Sequence, residues 1–182
     1  MSFEVKIKDI FRQSFILIGQ IEDDTIISNL KNFIKDYKDT ELSYKTNVKG
    51  KFTGFHSLVQ NKDFHNFLKL IKKEINYIFK KDFSISNAWG NICKKGDEVN
   101  EHTHQNATAF CGILYLTENG PGTYFKDYDF TVEEKIGRYV LFDPLLWHRV
   151  NKIVNDMERI TVAFNMDEIS NWAKLENATY IN

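Results

Sequence analysis

Two hydrophobic periods share this chain, and the change-over falls near Phe83. In NKDFHNFLKLIKKEINYIFKK, residues 61–81, the apolar side chains Phe64, Phe67, Leu68, Ile71, Ile75 and Ile78 recur every three or four positions. That spacing lines one side of an α-helix. Lys62, Lys69, Lys73 and Lys80 fall on another stripe, so the pattern predicts a helix over 61–81 with one buried side. A second helix is predicted at about 24–38, behind an aspartate suited to an N-cap, with Ile27, Leu30 and Ile34 on one side. A short strand is predicted at 14–18.

Beyond Phe83 the texture is that of short strands. SISNAWGNI alternates, TAFCGILYL is β-branched and aromatic, and ENGPG has turn chemistry. TYF, RYVLF (closed by Asp143-Pro144) and RITVAFNM follow. Several strands at short spacing with turn signals predict a β-sandwich or barrel. The fold class is therefore mainly β with flanking helices. No repeat or Gly/Ser/Pro-rich linker interrupts the chain, so one domain is expected: an α/β lead-in over 1–82, a β core over 83–166 and a tail over 167–182. A short helix is predicted at 167–176.

Composition narrows the classes. A chain of 182 residues can bury a core without staples, and 42% hydrophobic with 27% charged residues is ordinary for a globular protein. Cys93 and Cys111 show no metal or redox spacing and read as free thiols in a reducing compartment. MSFEVKIKDIF lacks the pattern of a secretory signal, and no apolar run approaches the ~20 residues needed to cross a bilayer. The expected compartment is the cytoplasm, or the host cytoplasm for a phage-encoded chain. Residues 1–91 carry 15 basic and 11 acidic residues, a surplus of four; residues 92–182 carry 9 and 14, a deficit of five. This asymmetry reads as a solvated helix face. Neither a membrane nor a nucleic-acid partner is expected, and the oligomeric state is left open.

The candidate chemistry lies in the histidines. Of five, His102 and His104 are separated by a single Thr. In an extended chain positions i and i+2 share a face, so two imidazoles, the commonest ligands of transition metals, can converge on one point. The alternative is a pair of exposed edge-strand histidines. His148, in RYVLFDPLLWHRV, follows a strand and a Pro turn; alone it reads as a residue packed beside Trp147. Brought together by a barrel, the three would cap one ion and leave up to three adjacent positions of an octahedral iron open. His65 reads as a surface or capping residue, and nothing around His56 suggests chemistry.

Arg159 and Thr161 share one face of the RITVAF strand, while Ile160 and Val162 take the other. An arginine directed into a barrel must find an anion, since burying its charge unpaired is prohibitive. Its planar fork fits a carboxylate bidentately, and the hydroxyl two residues on adds a donor. The alternative is a surface arginine paired with Asp156 or Glu158.

In order along the chain stand Trp89-Gly90-Asn91, Gly96, His102-x-His104, Cys111-Gly112-x-x-Tyr115, a Gly turn at 120–122, Gly137 to Phe142, His148, and Arg159-Ile-x-x-Ala-Phe164. This series, over about residues 85–166, resembles the Fe(II)/2-oxoglutarate-dependent oxygenase superfamily, and within it the small oxygenases of bacteria and phages. The resemblance implies a double-stranded β-helix, a jelly-roll or cupin-like barrel. It implies Fe(II) held by His102, His104 and His148, and 2-oxoglutarate chelating the iron through its 1-carboxylate and 2-keto oxygens. Arg159 would hold the 5-carboxylate, with Thr161, Tyr115 and Asn91 also at the cosubstrate. Dioxygen is the second cosubstrate, succinate and CO2 are the coproducts, and a substrate C–H bond is hydroxylated. The superfamily's usual motif is His-x-Asp/Glu; here His104 stands at the carboxylate position, as it often does in the small group. A neutral ligand there leaves the site one unit more positive.

Other readings differ at identifiable residues. Gly96-x5-His102-x-His104 fits a first cupin motif, which then calls for a Glu where this chain has Thr108 and Ala109. A cupin would work without 2-oxoglutarate, and Arg-x-Thr has no task in it. His-x-His with a distant His also suits a tetrahedral zinc with one open position. A non-catalytic binding module on the same fold would not require these residues. The substrate is left open between an amino-acid or protein side chain, a nucleobase and a small metabolite.

Overall fold

The computed structural model describes residues 4–7, 14–38, 46–104 and 109–169. Two antiparallel sheets face each other. The larger has seven strands: β1 (Glu4–Ile7), β2 (Phe15–Gln20), β3 (Lys51–Phe52), β4 (Phe83–Cys93), β6 (Phe110–Tyr115), β9 (Arg138–Phe142) and β11 (Arg159–Glu168), in the order β1-β2-β9-β6-β11-β4-β3. The smaller is β5 (Val99–His102), β10 (His148–Val150), β7 (Thr123–Phe125) and β8 (Phe130–Val132), in that order. Helices α1 (Asp24–Asp36) and α2 (Lys62–Phe79) belong to the outer layer. This is the expected mainly-β fold with flanking helices. Among the described residues, no helix is long and apolar enough to cross a membrane.

Strand β11 organises both layers. It lies between β4 and β6, pairing Thr161 with Asn91 on one side and with Tyr115 on the other. Because successive side chains alternate, Ile160, Val162 and Phe164 go to the outer core with the helices, while Arg159 and Thr161 face the second sheet. The outer core adds Ile27, Leu30 and Ile34 of α1 and Phe64, Phe67, Leu68, Ile71 and Ile75 of α2. Phe164 meets Phe64 and Phe67 with ring centroids 5.4 and 5.9 Å away. It lies over Gly112, where an added Cβ would come within 2.1 Å of its ring. The inner core between the sheets contains Ile16, Cys111, Tyr115, Phe125, Val140 and Phe142.

The helices form where the 3.6-residue period predicts them, with ends fixed by capping. Asp23 caps α1 by accepting from the Ile26 N–H at 2.9 Å. That helix stops at Asp36 rather than 38, because Tyr37 is extended. The Asn61 side chain accepts from the N–H groups of Asp63 and Phe64, so Asn61 lies outside α2. At the far end Lys80 is left-handed, which ends the helix two residues short of 81. Ile78, expected in the buried stripe, is 38% exposed.

Three further expectations change. The predicted strand at 14–18 is β2 and runs to Gln20; it pairs with β9, so the sheet reaches outside 83–166. Strand β11 continues through Glu168, so 167 and 168 are strand rather than helix, and the rest of the predicted 167–176 helix lies outside the described residues. The short strands β1, β3, β5, β8 and β10 were not expected, since two to four residues are too few to show a period.

The Gly112–Phe164 contact yields a direct test of this packing. Phe164→Ala is expected to cost about 3–5 kcal/mol, and Gly112→Ala about 1–3 kcal/mol by overpacking. In urea titrations, the pair Gly112→Ala with Phe164→Leu should lose less than the sum of the two single changes, because the smaller side chain vacates the new Cβ's space.

Candidate active site

The smaller sheet brings the histidines together. His148 opens β10 and pairs in register with His102, the last residue of β5. His104, two residues past that strand end, is anchored by its own N–H to the Pro144 carbonyl at 2.7 Å. The ring centroids are 4.2 Å apart for His102–His148, 5.2 Å for His102–His104 and 5.3 Å for His104–His148. One ligand atom from each lies within 4.8 Å of the others, so a single ion can reach all three.

Tautomer and protonation suit ligation. Nδ1 of His102 lies 2.8 Å from the Asn100 carbonyl, and Nδ1 of His148 lies 2.9 Å from that of Leu146. A carbonyl only accepts, so each Nδ1 carries the proton and each Nε2 keeps its lone pair. Burial lowers the pKa of all three rings. His104 is held at about 4, with His102 adding to the effect of burial. His148, 4% exposed beside the Phe142 ring, is held well below its ordinary value by burial and then by His102. For His102, burial outweighs the opposing bond to Asn100. At neutral pH the cluster is uncharged and open to a cation.

Arg159 enters the same cavity from the larger sheet with Thr161 and Asn91, and Thr123 reaches it from the smaller sheet. Arg159 is 3% exposed. Its Nε donates to the Pro121 carbonyl at 3.1 Å, and its Nη2 lies 3.4 Å from Thr123 Oγ1. Its guanidinium sits 5.3 Å from the centre of the Tyr115 ring. Nη1 meets no acceptor among the described residues. The surface pairing considered from sequence does not occur: Glu158 bridges Lys35 and Lys94, and Asp156 pairs with Lys95. The counterion is Glu134, whose Oε2 is 3.6 Å from Nε. Burial pushes the Glu134 pKa up, and Arg159 works against that rise.

The other expected residues fall around this arginine. Asn91 is 6% exposed, and its Oδ1 has no hydrogen-bond partner. Thr161 is 1% exposed and lies in register between Asn91 and Tyr115. Tyr115 gives its hydroxyl to Thr123 Oγ1 at 2.7 Å, so Thr123 presents that network to the cavity. Thr123 and Glu134 were missed from sequence. The first is an ordinary strand threonine, and the second sits in a Glu-Glu-Lys stretch that reads as solvated surface. His65 is as expected, its Nε2 2.8 Å from the Val59 carbonyl near the start of α2, and His56 is exposed.

No family model and no curated protein matches the sequence. Solved structures do match. The viral collagen prolyl hydroxylase of Paramecium Bursaria Chlorella virus-1, in complex with 2-oxoglutarate, superposes with a TM-score of 0.62 at 14% identity, over 82% of this chain and 94% of that one. A Pseudomonas putida prolyl-4-hydroxylase gives 0.62 at 14% identity, over 84% and 93%. HygX of Streptomyces hygroscopicus, with nickel and 2-oxoglutarate bound, gives 0.61 at 9% identity, over 84% and 82%. The chain has the fold of the 2OG-Fe(II) oxygenases. In this oxygenase fold, the histidine cluster and Arg159 are held by facing sheets on one cavity.

The lowered histidine pKa values have a definite sign. Between their unfolded value near 6.5 and their folded values the unfolded chain binds more protons, so stability falls as the pH drops through this window. The metal-free protein should therefore melt at a lower temperature at about pH 5 than at about pH 7.5. His148→Gln should flatten that dependence, as read by differential scanning calorimetry.

Proposed function

We propose that the protein is an Fe(II)- and 2-oxoglutarate-dependent dioxygenase that hydroxylates a C–H bond of a small molecule or of a peptide side chain. The observation that carries this reading is the sharing of one cavity by three uncharged imidazoles and a buried arginine. Glu134 already neutralises Arg159, so the buried charge alone calls for no ligand. The unpartnered Oδ1 of Asn91 does call for a polar atom in the cavity, which Arg159 also lines. A cupin or a three-histidine zinc lyase gives these groups no task.

The residue roles follow from position. His102 and His148 would hold the ion through Nε2, with His104 as the third ligand. When bound, iron with dioxygen and 2-oxoglutarate supplies the oxidation, giving succinate, CO2 and a hydroxylated product. Arg159 would take the 5-carboxylate through its outer edge, with Thr161 and Thr123 as hydroxyl partners. Tyr115 acts at one remove, by orienting Thr123. Ile113, Phe142 and Trp89 line the same cavity and keep water from it. His102 and His104 also border a wider groove with Phe52, Phe55, Trp89 and Trp147, which is the route we infer for substrate. Two buried thiols outside any disulfide suit a reducing compartment, and the cytoplasm is the one we infer.

Isothermal titration of the Mn(II)-loaded protein with 2-oxoglutarate under anaerobic conditions tests the assignment. Removing one partner of a buried charge pair costs about 2–5 kcal/mol, so Arg159→Ala should weaken binding by roughly 30-fold or more, at ~1.4 kcal/mol per decade. Arg159→Lys keeps the counterion of Glu134 but loses the fork, and should recover part of the affinity. Manganese affinity should be unchanged in both, whereas His102→Ala should lose it. Equal 2-oxoglutarate affinity across the three proteins, or none for wild type, would sink the reading.

A further inference from the structure

His104 replaces the carboxylate of the commoner motif, yet a carboxylate is buried at the arginine end of the site. Glu134 is 7% exposed, with its side-chain atoms fully covered. It occupies a built seat. Thr117 Oγ1 donates to its Oε1, and Arg159 Nε faces its Oε2. Gly120 packs so closely that an added Cβ would lie 2.3 Å from Oε2. The ion holding and cosubstrate contacts proposed above give this carboxylate no part beyond that of counterion to Arg159.

Counting charges gives it one. A divalent ion on three neutral imidazoles, with Arg159 and Glu134, carries two net positive units, which the two carboxylates of 2-oxoglutarate cancel. A neutral Glu134 would leave three positive units, and an aspartate at 104 beside Glu134 would leave one. Resting on the oxygenase reading, we propose that Glu134 supplies, from behind Arg159, the negative charge that an acidic residue at 104 would have brought to the metal. It thereby sets the affinity for the dianionic cosubstrate. Glu134 is a positioning residue in this scheme. It holds the Nε side of Arg159 and competes electrostatically with the incoming carboxylate.

The two positions should therefore compensate each other. In the Mn(II)-loaded full chain, Glu134→Gln keeps the Thr117 contact and removes the charge. Unit charges a few ångströms apart in a partly buried site interact strongly enough that 2-oxoglutarate should bind about tenfold tighter or more. The metal-free Glu134→Gln protein should melt lower than wild type, with a larger gain when Mn(II) and 2-oxoglutarate are added. His104→Asp should bind the cosubstrate about tenfold more weakly, and the double variant should return near wild type. A purely structural Glu134 would change only the melting temperature. Unchanged or weaker binding by Glu134→Gln, with wild type binding normally, overturns this proposal and leaves the oxygenase reading intact. No binding by wild type overturns both. If Glu134→Gln does not fold, His104→Asp decides alone: equal or tighter cosubstrate binding refutes the charge balance.

Discussion

The cation of Arg159 is almost wholly removed from water at the start of β11, an inner strand of the larger sheet, and much of the surrounding structure can be read as the answer to that burial. An unpaired guanidinium in such a place is too costly to persist. The Pro121 carbonyl and Glu134 take its Nε side, Thr123 approaches Nη2, and the Tyr115 ring lies nearby. Each partner comes from a different segment. The turn at 120–122 is therefore tied to the strands on either side of it and to the 133–136 connection. These bonds fix the direction of the guanidinium, a precondition for recognising a small anion with a defined geometry.

The two faces of β11 divide the work. Ile160, Val162 and Phe164 fasten the helices, and the intervening Arg159 and Thr161 form the site. A one-residue slip would exchange these sets, placing a charge in the hydrocarbon core and a phenyl ring in the cavity. Ten register pairs with β4 and six with β6 guard against it. The close approach of Phe164 to Gly112 adds a steric lock, since neighbouring positions on β6 carry side chains that would not admit the ring.

Much of this was legible in the sequence, and for identifiable reasons. Helix α2 and strands β4, β6, β9 and β11 are long enough for their periods to speak. The His102–His104 spacing and the Arg159–Thr161 alternation carried the two halves of the site. Asn91 and Tyr115 came only through the family resemblance, and the register then set them in one row with Thr161. What escaped depends on long-range pairing. β2 joins β9 across more than a hundred residues, and nothing local in a six-residue strand announces its partner. Glu134 looks like a solvated acid until the fold folds it under Arg159. Ile78 follows the helical period, but in the last turn it is the next residue, Phe79, that packs onto the strands, against Phe15, Phe83 and Phe110.

The central place of β11 also bears on how the molecule comes to be assembled. It is the last described strand in the chain, yet it lies between β4 and β6, which are much earlier. During synthesis those two strands must wait with their facing edges unpaired until the chain beyond Arg159 has emerged. Such non-local pairing is intrinsically slow, and exposed strand edges invite pairing with other chains. The segment that completes the cavity is thus the one that closes the sheet. A chain interrupted before it would lack both the arginine and the strand holding the two halves of the larger sheet together.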